Sequence, residues 1–255
     1  MFLAIDIGNT DIMVGINHQN EWVHLWRLPS TIDRPELFYG IRMREHFFEA
    51  GIKPEAVDKI VLSSVVPDLT DKIVRVVTTL FKINPIILGP ELYSKLPLEV
   101  LNPYEIGSDL VANALAAYLK CKRNCIVVDF GTALTFTTIS DKGKILGVAI
   151  APGLKTAIKS LSQNTAKLFD VPLELPTSAL GKNTVHAIQA GILLGYEGLV
   201  VSMIHRIRHE LSDANCATIA TGGLSSIIPT LKFHFTEIDK NLTLNGLKII
   251  GELVN

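Results

Sequence analysis

A short pattern occurs twice in this chain of 255 residues, and its two copies begin 123 residues apart. Residues 2–10 read FLAIDIGNT and residues 125–133 read CIVVDFGTA. Each copy is an apolar run followed by Asp, an apolar residue, Gly and small residues, and a second β-rich run follows it. This order is typical of a strand, a tight turn and a second strand, because Gly adopts turn conformations that other residues avoid. The repeat therefore predicts two similar halves, each opening with a β-hairpin.

Helical and strand patterns alternate behind each hairpin. The Ala- and Leu-rich segment Asp109–Lys120 predicts a strong helix, and KIVLSSV at Lys59–Val65 predicts a strand. This alternation predicts an α/β fold in which helices cover sheets with antiparallel edges. Besides the opening strand of each hairpin, the predicted strands are Ile12–Ile16, Lys59–Val65, Pro85–Leu88, Leu134–Ile139, Ile145–Ala151 and Thr218–Ala220. The predicted helices are Pro35–Ala50, Leu69–Phe81, Asp109–Lys120, Thr156–Leu168 and Thr184–Glu210, the last open to a break at one of its glycines.

Charge and composition exclude several classes of function. Lys and Arg number 24 against 25 Asp and Glu, so the chain lacks the basic field that nucleic-acid backbones require. Apolar residues make up 48% and charged residues 19%, which excludes a mainly disordered chain. The three cysteines, Cys121, Cys125 and Cys216, match no disulfide or zinc spacing, and this favours a reducing compartment.

Neither apolar stretch of the sequence is typical of export or of a membrane span. Asp6 interrupts the N-terminal apolar run after five residues, which is too early for an export signal. The stretch Val185–Ile204 contains His, Gln and Glu, so it predicts a buried helix. A cytoplasmic protein with neither a nucleic-acid nor a membrane partner is therefore expected.

The turns of the two hairpins are candidate phosphate-binding loops. In Asp6-Ile7-Gly8-Asn9-Thr10, backbone N–H groups and the Asn and Thr side chains could bind phosphate oxygens, and the Asp carboxylate could hold Mg²⁺. Asp129-Phe130-Gly131-Thr132 repeats the arrangement. Each turn alone could be an ordinary hairpin, since Asn and Gly are common turn residues. Two copies half a chain apart favour a single nucleotide bound by both.

Other polar motifs precede or follow predicted helices and strands. Thr221-Gly222-Gly223 follows a strand, so it is either a nucleotide contact or an ordinary turn into a helix. Gly107-Ser108-Asp109 precedes the Ala-rich helix, so its Asp is either a helix cap or a general base that accepts a substrate proton. Gly181-Lys182-Asn183-Thr184 lacks the first Gly of a P-loop, although its Lys and Thr could still contact a ligand.

Eight ordered segments show that the chain resembles type III pantothenate kinases, in the superfamily of actin, sugar kinases and heat-shock ATPases. The match runs nearly end to end. The segments that carry it are Asp6–Thr10, Ser63–Pro67, Asn102–Asp109, Asp129–Ala133, Ala149–Leu154, Gly181–Val185, Thr221–Gly223 and Leu242–Leu247.

The resemblance implies a fold, a reaction and a set of site residues. It implies two actin-like (ribonuclease H-like) halves, residues 1–118 and 119–255, with ATP in a cleft, and a homodimer formed through helices of the second half. It implies transfer of the γ-phosphoryl group of ATP to pantothenate, the first step of coenzyme A biosynthesis. The implied catalytic base is Asp109, with Mg²⁺ near Asp6 and a monovalent cation (K⁺ or NH₄⁺) at Asp129. The implied ATP contacts are Asp6, Ile7, Gly8, Asn9, Thr10, Asp11, Ile12, Met13, Thr132, Gly222 and Gly223, and the implied substrate positions are Val100, Gly107, Ser108, Asp109, Leu110 and Thr184.

The sequence departs from the family pattern on the substrate side. Leu110 stands where the family usually has Arg, and Val100 where it usually has Tyr. Thr137 and His186 each replace a usual acidic residue. Since an Arg–carboxylate contact is charge-assisted, these changes leave three hypotheses open: a pantothenate kinase with a modified acid pocket, a kinase for another small alcohol, and a non-catalytic nucleotide-binding relative with a regulatory role.

Overall fold

The computed structural model describes residues 1–165 and 167–254, and it divides into two compact units. The first unit comprises Met1–Ala116 and the C-terminal segment from Leu242, and the second comprises Ala117–Asn241. From the sequence, residues 242–255 are expected in the second half. The structure instead groups helix α8 (Leu242–Leu253) with the first unit, where the Lys59 ammonium donates a hydrogen bond to the Gly251 carbonyl at 2.7 Å.

The first unit is built on a five-stranded sheet in the order β3-β2-β1-β4-β5. Its first three strands are antiparallel neighbours in a meander, and β4 and β5 run parallel to β1. Parallel pairing needs crossover connections, and helices supply them. The strands are β1 (Phe2–Ile7), β2 (Asp11–His18), β3 (Glu21–Pro29), β4 (Lys59–Ser64) and β5 (Ile86–Ile87).

The helices of the first unit cover this sheet with apolar side chains. In α2, buried Leu69, Ile73, Val76 and Val77 recur at helical spacing and join the core under β1 and β4. The helices are α1 (Glu36–Glu49), a 3₁₀ turn (Pro54–Ala56), α2 (Pro67–Phe81), the short α3 (Pro90–Tyr93), α4 (Ser108–Cys121), which continues into the second unit, and α8.

The second unit repeats the first sheet strand for strand. Its order is β8-β7-β6-β9-β10, again with three antiparallel neighbours followed by two parallel strands. The prediction of two similar halves, each opening with a hairpin, is therefore confirmed. The strands are β6 (Cys125–Phe130), β7 (Ala133–Ile139), β8 (Ile145–Pro152), β9 (Ala217–Thr221) and β10 (Glu237–Ile238).

The helices of the second unit are less regular. Helix α5 (Leu154–Asn164) ends before the predicted Leu168, and Ala166 of that prediction lies outside the described residues. The predicted helix Thr184–Glu210 consists of α6 (Thr184–Gln189), one π-helical segment (Ala190–Leu194) and α7 (Gly195–Glu210). A 3₁₀ helix (Pro229–His234) precedes β10.

The long helical stretch Thr184–Glu210 is only partly buried. By length and apolar composition it could cross a membrane, and 39% of its most apolar window is buried within the structure. The expectation of a buried helix is therefore met on one side only, where Leu193, Val200 and Ile204 enter the core of the second unit.

Candidate active site

The predicted nucleotide contacts of the first unit lie together in the β1–β2 hairpin. The Gly8 N–H donates to the Asp11 carbonyl at 3.0 Å, which closes a turn of three residues, Gly8 to Thr10. Asn9 and Thr10 are exposed at its tip, so their side chains and backbone N–H groups are accessible to a phosphate. The Asp11 carboxylate accepts a hydrogen bond from Arg27 at 2.9 Å, which offsets its negative charge beside this turn.

Asp6 lies at the carboxyl end of β1, where two strands flank it. It is opposite Met13 in antiparallel β2 and beside Ser63 in parallel β4. The strand ends thus bring the predicted Mg²⁺ residue next to the serines that follow Leu62 along β4. Proteins commonly bind Mg²⁺ through a single carboxylate when substrate phosphates supply further oxygen ligands. The carboxylate of Asp6 therefore fits this ion.

The predicted base Asp109 is the second residue of α4, in its first turn. Its Oδ1 accepts a hydrogen bond from the Leu110 N–H at 2.8 Å, and a β-carbon at Gly107 would lie directly against the same oxygen. Burial raises the pKa of the Asp109 carboxyl, an effect opposed by backbone N–H donors including that of Leu110. A raised pKa makes the carboxylate a better proton acceptor than an exposed Asp.

Tyr93, at the end of α3, lies close enough to Asp109 for the charge of that carboxylate to act on its phenol. Burial, and then the negative charge of Asp109, raise the pKa of Tyr93 to about 12. The phenol therefore keeps its proton at neutral pH and remains a hydrogen-bond donor. No local pattern in the sequence marks this residue, because Tyr93 precedes Asp109 by more than a dozen positions in a loop-rich segment.

The second hairpin, between β6 and β7, has a tighter turn than the first. The Gly131 N–H donates to the Ala133 carbonyl at 3.1 Å. The Thr132 carbonyl accepts the Gly153 N–H at 3.0 Å and the Thr156 hydroxyl at 2.7 Å. A β-carbon at Gly153 would lie 2.6 Å from that carbonyl oxygen, so this position has no room for a side chain. The turn is thereby fixed against the beginning of α5.

Asp129 and Gly222 lie against each other at the carboxyl ends of neighbouring strands β6 and β9, with Asp129 beside Thr221 in the register. Gly222 has φ +88°, and a β-carbon there would lie 2.5 Å from Asp129 Oδ1 and 2.8 Å from the Phe130 nitrogen. Only glycine suits both the conformation and the space. A carboxylate oxygen among exposed turn backbone is a donor set that suits a hard cation.

Thr184, the predicted substrate contact of the second unit, lies at a helix start. It begins α6, where the Asn183 side chain accepts the His186 N–H at 2.9 Å. The adjacent open cavity is about 520 Å³ in volume. It is lined by Leu161, Leu168, Gly181, Lys182, Asn183, Thr184, Ala187, Ile188, Gly191 and Ile192.

Two of the departures from the family pattern, Val100 and Leu110, belong to the first unit. Leu110 is 9% exposed, so its side chain packs into the interior of the unit. Val100 is half-buried in the loop that leads to α4.

Within residues 1–165 and 167–254, no three His, Cys, Asp or Glu side chains are arranged as a metal site.

Comparison with known proteins places this geometry in a family. The family model for type III pantothenate kinase matches residues 2–206. The chain belongs to the type III pantothenate kinase family. A type III pantothenate kinase of Myxococcus xanthus is 38% identical over 250 residues, covering 98% of this chain and 97% of the relative. That of Pelobacter propionicus is 39% identical over 252 residues and covers 99% of both chains.

Solved structures with low sequence identity confirm the actin-like fold. MreB 5 of Spiroplasma citri, bound to AMPPNP, has a TM-score of 0.57 at 10% identity and covers 99% of this chain and 96% of its own. The polyphosphate/ATP-glucomannokinase of an Arthrobacter strain has a TM-score of 0.50 at 15% identity, and the match covers 100% of this chain and 99% of the glucomannokinase chain. At these identities the likeness shows the fold alone.

Proposed function

We propose that the chain transfers the γ-phosphoryl group of ATP to the primary hydroxyl of pantothenate, with Asp109 as the general base. The observation that carries the proposal is the partly buried carboxylate of Asp109, whose pKa is raised, on a chain of this family. Phosphoryl transfer depends mainly on positioning and on charge stabilisation, so one well-placed proton acceptor suffices for the acceptor hydroxyl.

Each part of the first unit has a distinct role in this reaction. The Gly8–Thr10 turn binds phosphate oxygens through its N–H groups and polar side chains. Asp109 orients the acceptor hydroxyl and takes its proton as the new phosphate ester forms. Tyr93 keeps its proton and so adds no second negative charge beside the base. The buried Leu110 leaves acid recognition to residues other than the usual Arg.

The cations are part of the same proposal. Asp6 would hold Mg²⁺, and Asp129, which lies against Gly222, would hold a monovalent cation such as K⁺. When bound, these ions would neutralise phosphate charge. In the second unit, Thr132, Gly222 and Gly223 would contribute further ATP contacts.

The test compares two aspartates that occupy the same position in their helices. Asp109→Asn is expected to lower the rate of phosphopantothenate formation by about 10²- to 10⁴-fold, with little change in ATP affinity, because only the proton acceptor is lost. Asp68 is the second residue of α2 and is exposed. Asp68→Asn removes the same favourable charge from a helix N-terminus and should leave the rate unchanged.

The assay is ADP release with ATP, Mg²⁺ and K⁺, with and without pantothenate, and mass spectrometry of the product. Wild-type protein that binds ATP but forms no pantothenate-dependent product would refute the proposed acceptor. An Asp109→Asn variant with full transfer activity would refute the assignment of the base.

We also propose that the protein is a homodimer formed through the second unit. On strand β8, Leu146, Val148 and Ile150 alternate outward and are 40%, 37% and 70% exposed. An apolar groove of about 250 Å³ between this strand and α7 adds Met203 and Ile207 to the same face. Exposed contiguous apolar surface of this kind is typical of a subunit interface.

Free thiols at all three cysteines agree with a cytoplasmic location.

Sedimentation equilibrium tests the dimer with two matched variants. Ile150→Lys should give monomers, because it places a charge in the proposed interface. Leu37 on α1 is also 70% exposed, so Leu37→Lys makes the same change on the first unit and should leave the dimer intact. Equal masses for the two variants would contradict the proposed interface.

A further inference from the structure

The hydroxyl of Ser108 makes three hydrogen bonds to one strand end. Ser108 Oγ donates to the Ser64 carbonyl at 3.0 Å, accepts the Ser64 N–H at 3.1 Å, and lies 2.9 Å from Ser63 Oγ. A serine hydroxyl has one proton and two acceptor sites. Because the Ser64 carbonyl takes the proton of Ser108, Ser63 must be the donor in the third bond. Ser108 is 6% exposed and Ser63 is fully buried, so water does not compete for these bonds.

This arrangement differs from ordinary helix capping. A capping serine accepts N–H groups from the first turn of its own helix. Ser108 is the first residue of α4, yet these three bonds go to the end of β4. The backbone of Gly107 serves the helix instead, since its carbonyl accepts the Val111 N–H at 3.2 Å. The side chain of Ser108 therefore fixes where α4 begins relative to the sheet.

The strand end that Ser108 contacts is the neighbour of the first hairpin. In the parallel register of β1 and β4, Asp6 is beside Ser63 and Ile7 is beside Ser64. Ser64 is held in turn from α2, because its hydroxyl accepts a hydrogen bond from Thr70 at 2.7 Å. One buried hydroxyl thus connects the helix that carries Asp109 to the strand pair that carries Asp6.

We propose that Ser108, with Ser63 as its hydrogen-bond donor, is a positioning residue that sets the place of the Asp109 carboxylate relative to the Gly8–Thr10 turn. The inference rests on the proposed function, in which Asp109 takes a proton while that turn holds the phosphates. Transfer rates depend steeply on such distances, and a misplacement of about 1 Å can cost roughly 100-fold.

The kinetic test separates positioning from stability. Ser108→Ala should lower kcat by about 10- to 100-fold and change KM for ATP by less than about twofold, because the turn itself stays intact. The matched control is Thr243→Val, which removes a 2.8 Å hydrogen bond to Asn113, one turn further along α4. The control should lose stability and keep the wild-type kcat.

A second variant tests the pairing and guards against misfolding. Ser63→Ala should lower kcat less than Ser108→Ala, because Ser108 keeps its two bonds to Ser64. If Ser63 acts through Ser108, the double variant should have the kcat of Ser108→Ala alone. Full multiplication of the two effects would show that Ser63 acts independently and would overturn the pairing.

A titration of Asp109 gives a readout that needs no acceptor substrate. Its carboxyl ¹³C resonance, assigned with Asp109→Asn, should titrate at lower pH in Ser108→Ala, because a loosened helix start admits water and weakens the burial that raises this pKa. The charge of Asp109 helps to raise the pKa of the Tyr93 phenol to about 12, so this neighbouring group stays neutral throughout the range. Thr243→Val should leave the titration unchanged.

The outcomes distinguish this inference from the proposed function. Loss of activity in Asp109→Asn, with kcat and the titration unchanged in Ser108→Ala, would overturn the positioning role alone. Wild-type protein without pantothenate-dependent product would refute the proposed acceptor, and the titration would then decide whether Ser108 positions the carboxylate.

Discussion

Two glycines in helix interiors make a matched test of how closely α8 packs on α4. Gly246, in α8, lies against the backbone of Ala112 in α4, whereas the nearest atom to a β-carbon at Gly40, in α1, would be Val76 Cγ1 at 4.0 Å. Replacement of either glycine by Ala gives a similar gain in helix propensity, about 1 kcal/mol. The two substitutions are nevertheless expected to change the free energy of unfolding in opposite directions.

The cost at Gly246 follows from the distances. A β-carbon there would lie 2.5 Å from the Ala112 carbonyl carbon, and non-bonded carbons need roughly 3.5 Å, so α8 would have to retreat by about 1 Å. The obstacle is helix backbone, which cannot rotate aside, so we take the upper part of the usual overpacking cost, about 3 kcal/mol. Gly246→Ala should therefore lose about 2 kcal/mol net, while Gly40→Ala should gain about 1 kcal/mol.

Urea unfolding followed by far-UV circular dichroism measures both changes, and the double variant should show their sum because the sites are separate. Ala112 lies one turn from Asp109 on α4, so Gly246→Ala should also reduce turnover and Gly40→Ala should not. If Gly246→Ala were as stable as Gly40→Ala, the close approach of the two helices would be wrong.

Three further predictions follow from single groups. Gly222→Ala should destabilise by more than Gly51→Ala in thermal melts, since both have positive φ (+88° and +67°) but only Gly222 is crowded; equal losses would contradict this. The pKa of His46 is lowered mainly by burial, so the folded state binds its proton less well than the unfolded state. The free energy of unfolding should then fall as pH drops below about 6.5. In His46→Gln this part of the decrease, measured from urea unfolding midpoints, should be missing. The pKa of Cys121 is lowered, chiefly by a hydrogen bond from Cys125, so its alkylation should reach half its maximal rate at a lower pH than that of an unperturbed cysteine, and Cys125→Ala should move the midpoint upward.

Local sequence signals were sufficient for the duplicated hairpins and for most helices. The paired motifs at Asp6 and Asp129 predicted two similar halves, because a strand, a glycine turn and a strand are specified by a few adjacent residues. Strand β3 (Glu21–Pro29) was missed, since outward Val23 and Leu25 are 43% and 42% exposed and break the alternation of polar and apolar residues.

Elements that depend on distant contacts could not be read from the sequence. Helix α8 contains Gly246 and Gly251, which lower its helix propensity, and its packing against β1 and β4 outweighs that preference. For the same reason its place in the first unit was not foreseen. The motif around Asp109 was recognised, but the bond between Ser63 and Ser108 joins residues 45 positions apart and has no local pattern.

The π-helical segment Ala190–Leu194 changes the direction in which side chains point before and after it within one continuous helix. Before it, Ile188 packs with Ile158 and Val171, and after it, Tyr196 and Val200 belong to the main core of the second unit. An α-helix turns about 100° per residue, so removal of one residue from this segment would rotate everything before it by about that angle. The single extra residue therefore lets two hydrophobic clusters share one helix, and it sets the direction in which the helix start at Thr184 presents its N–H groups.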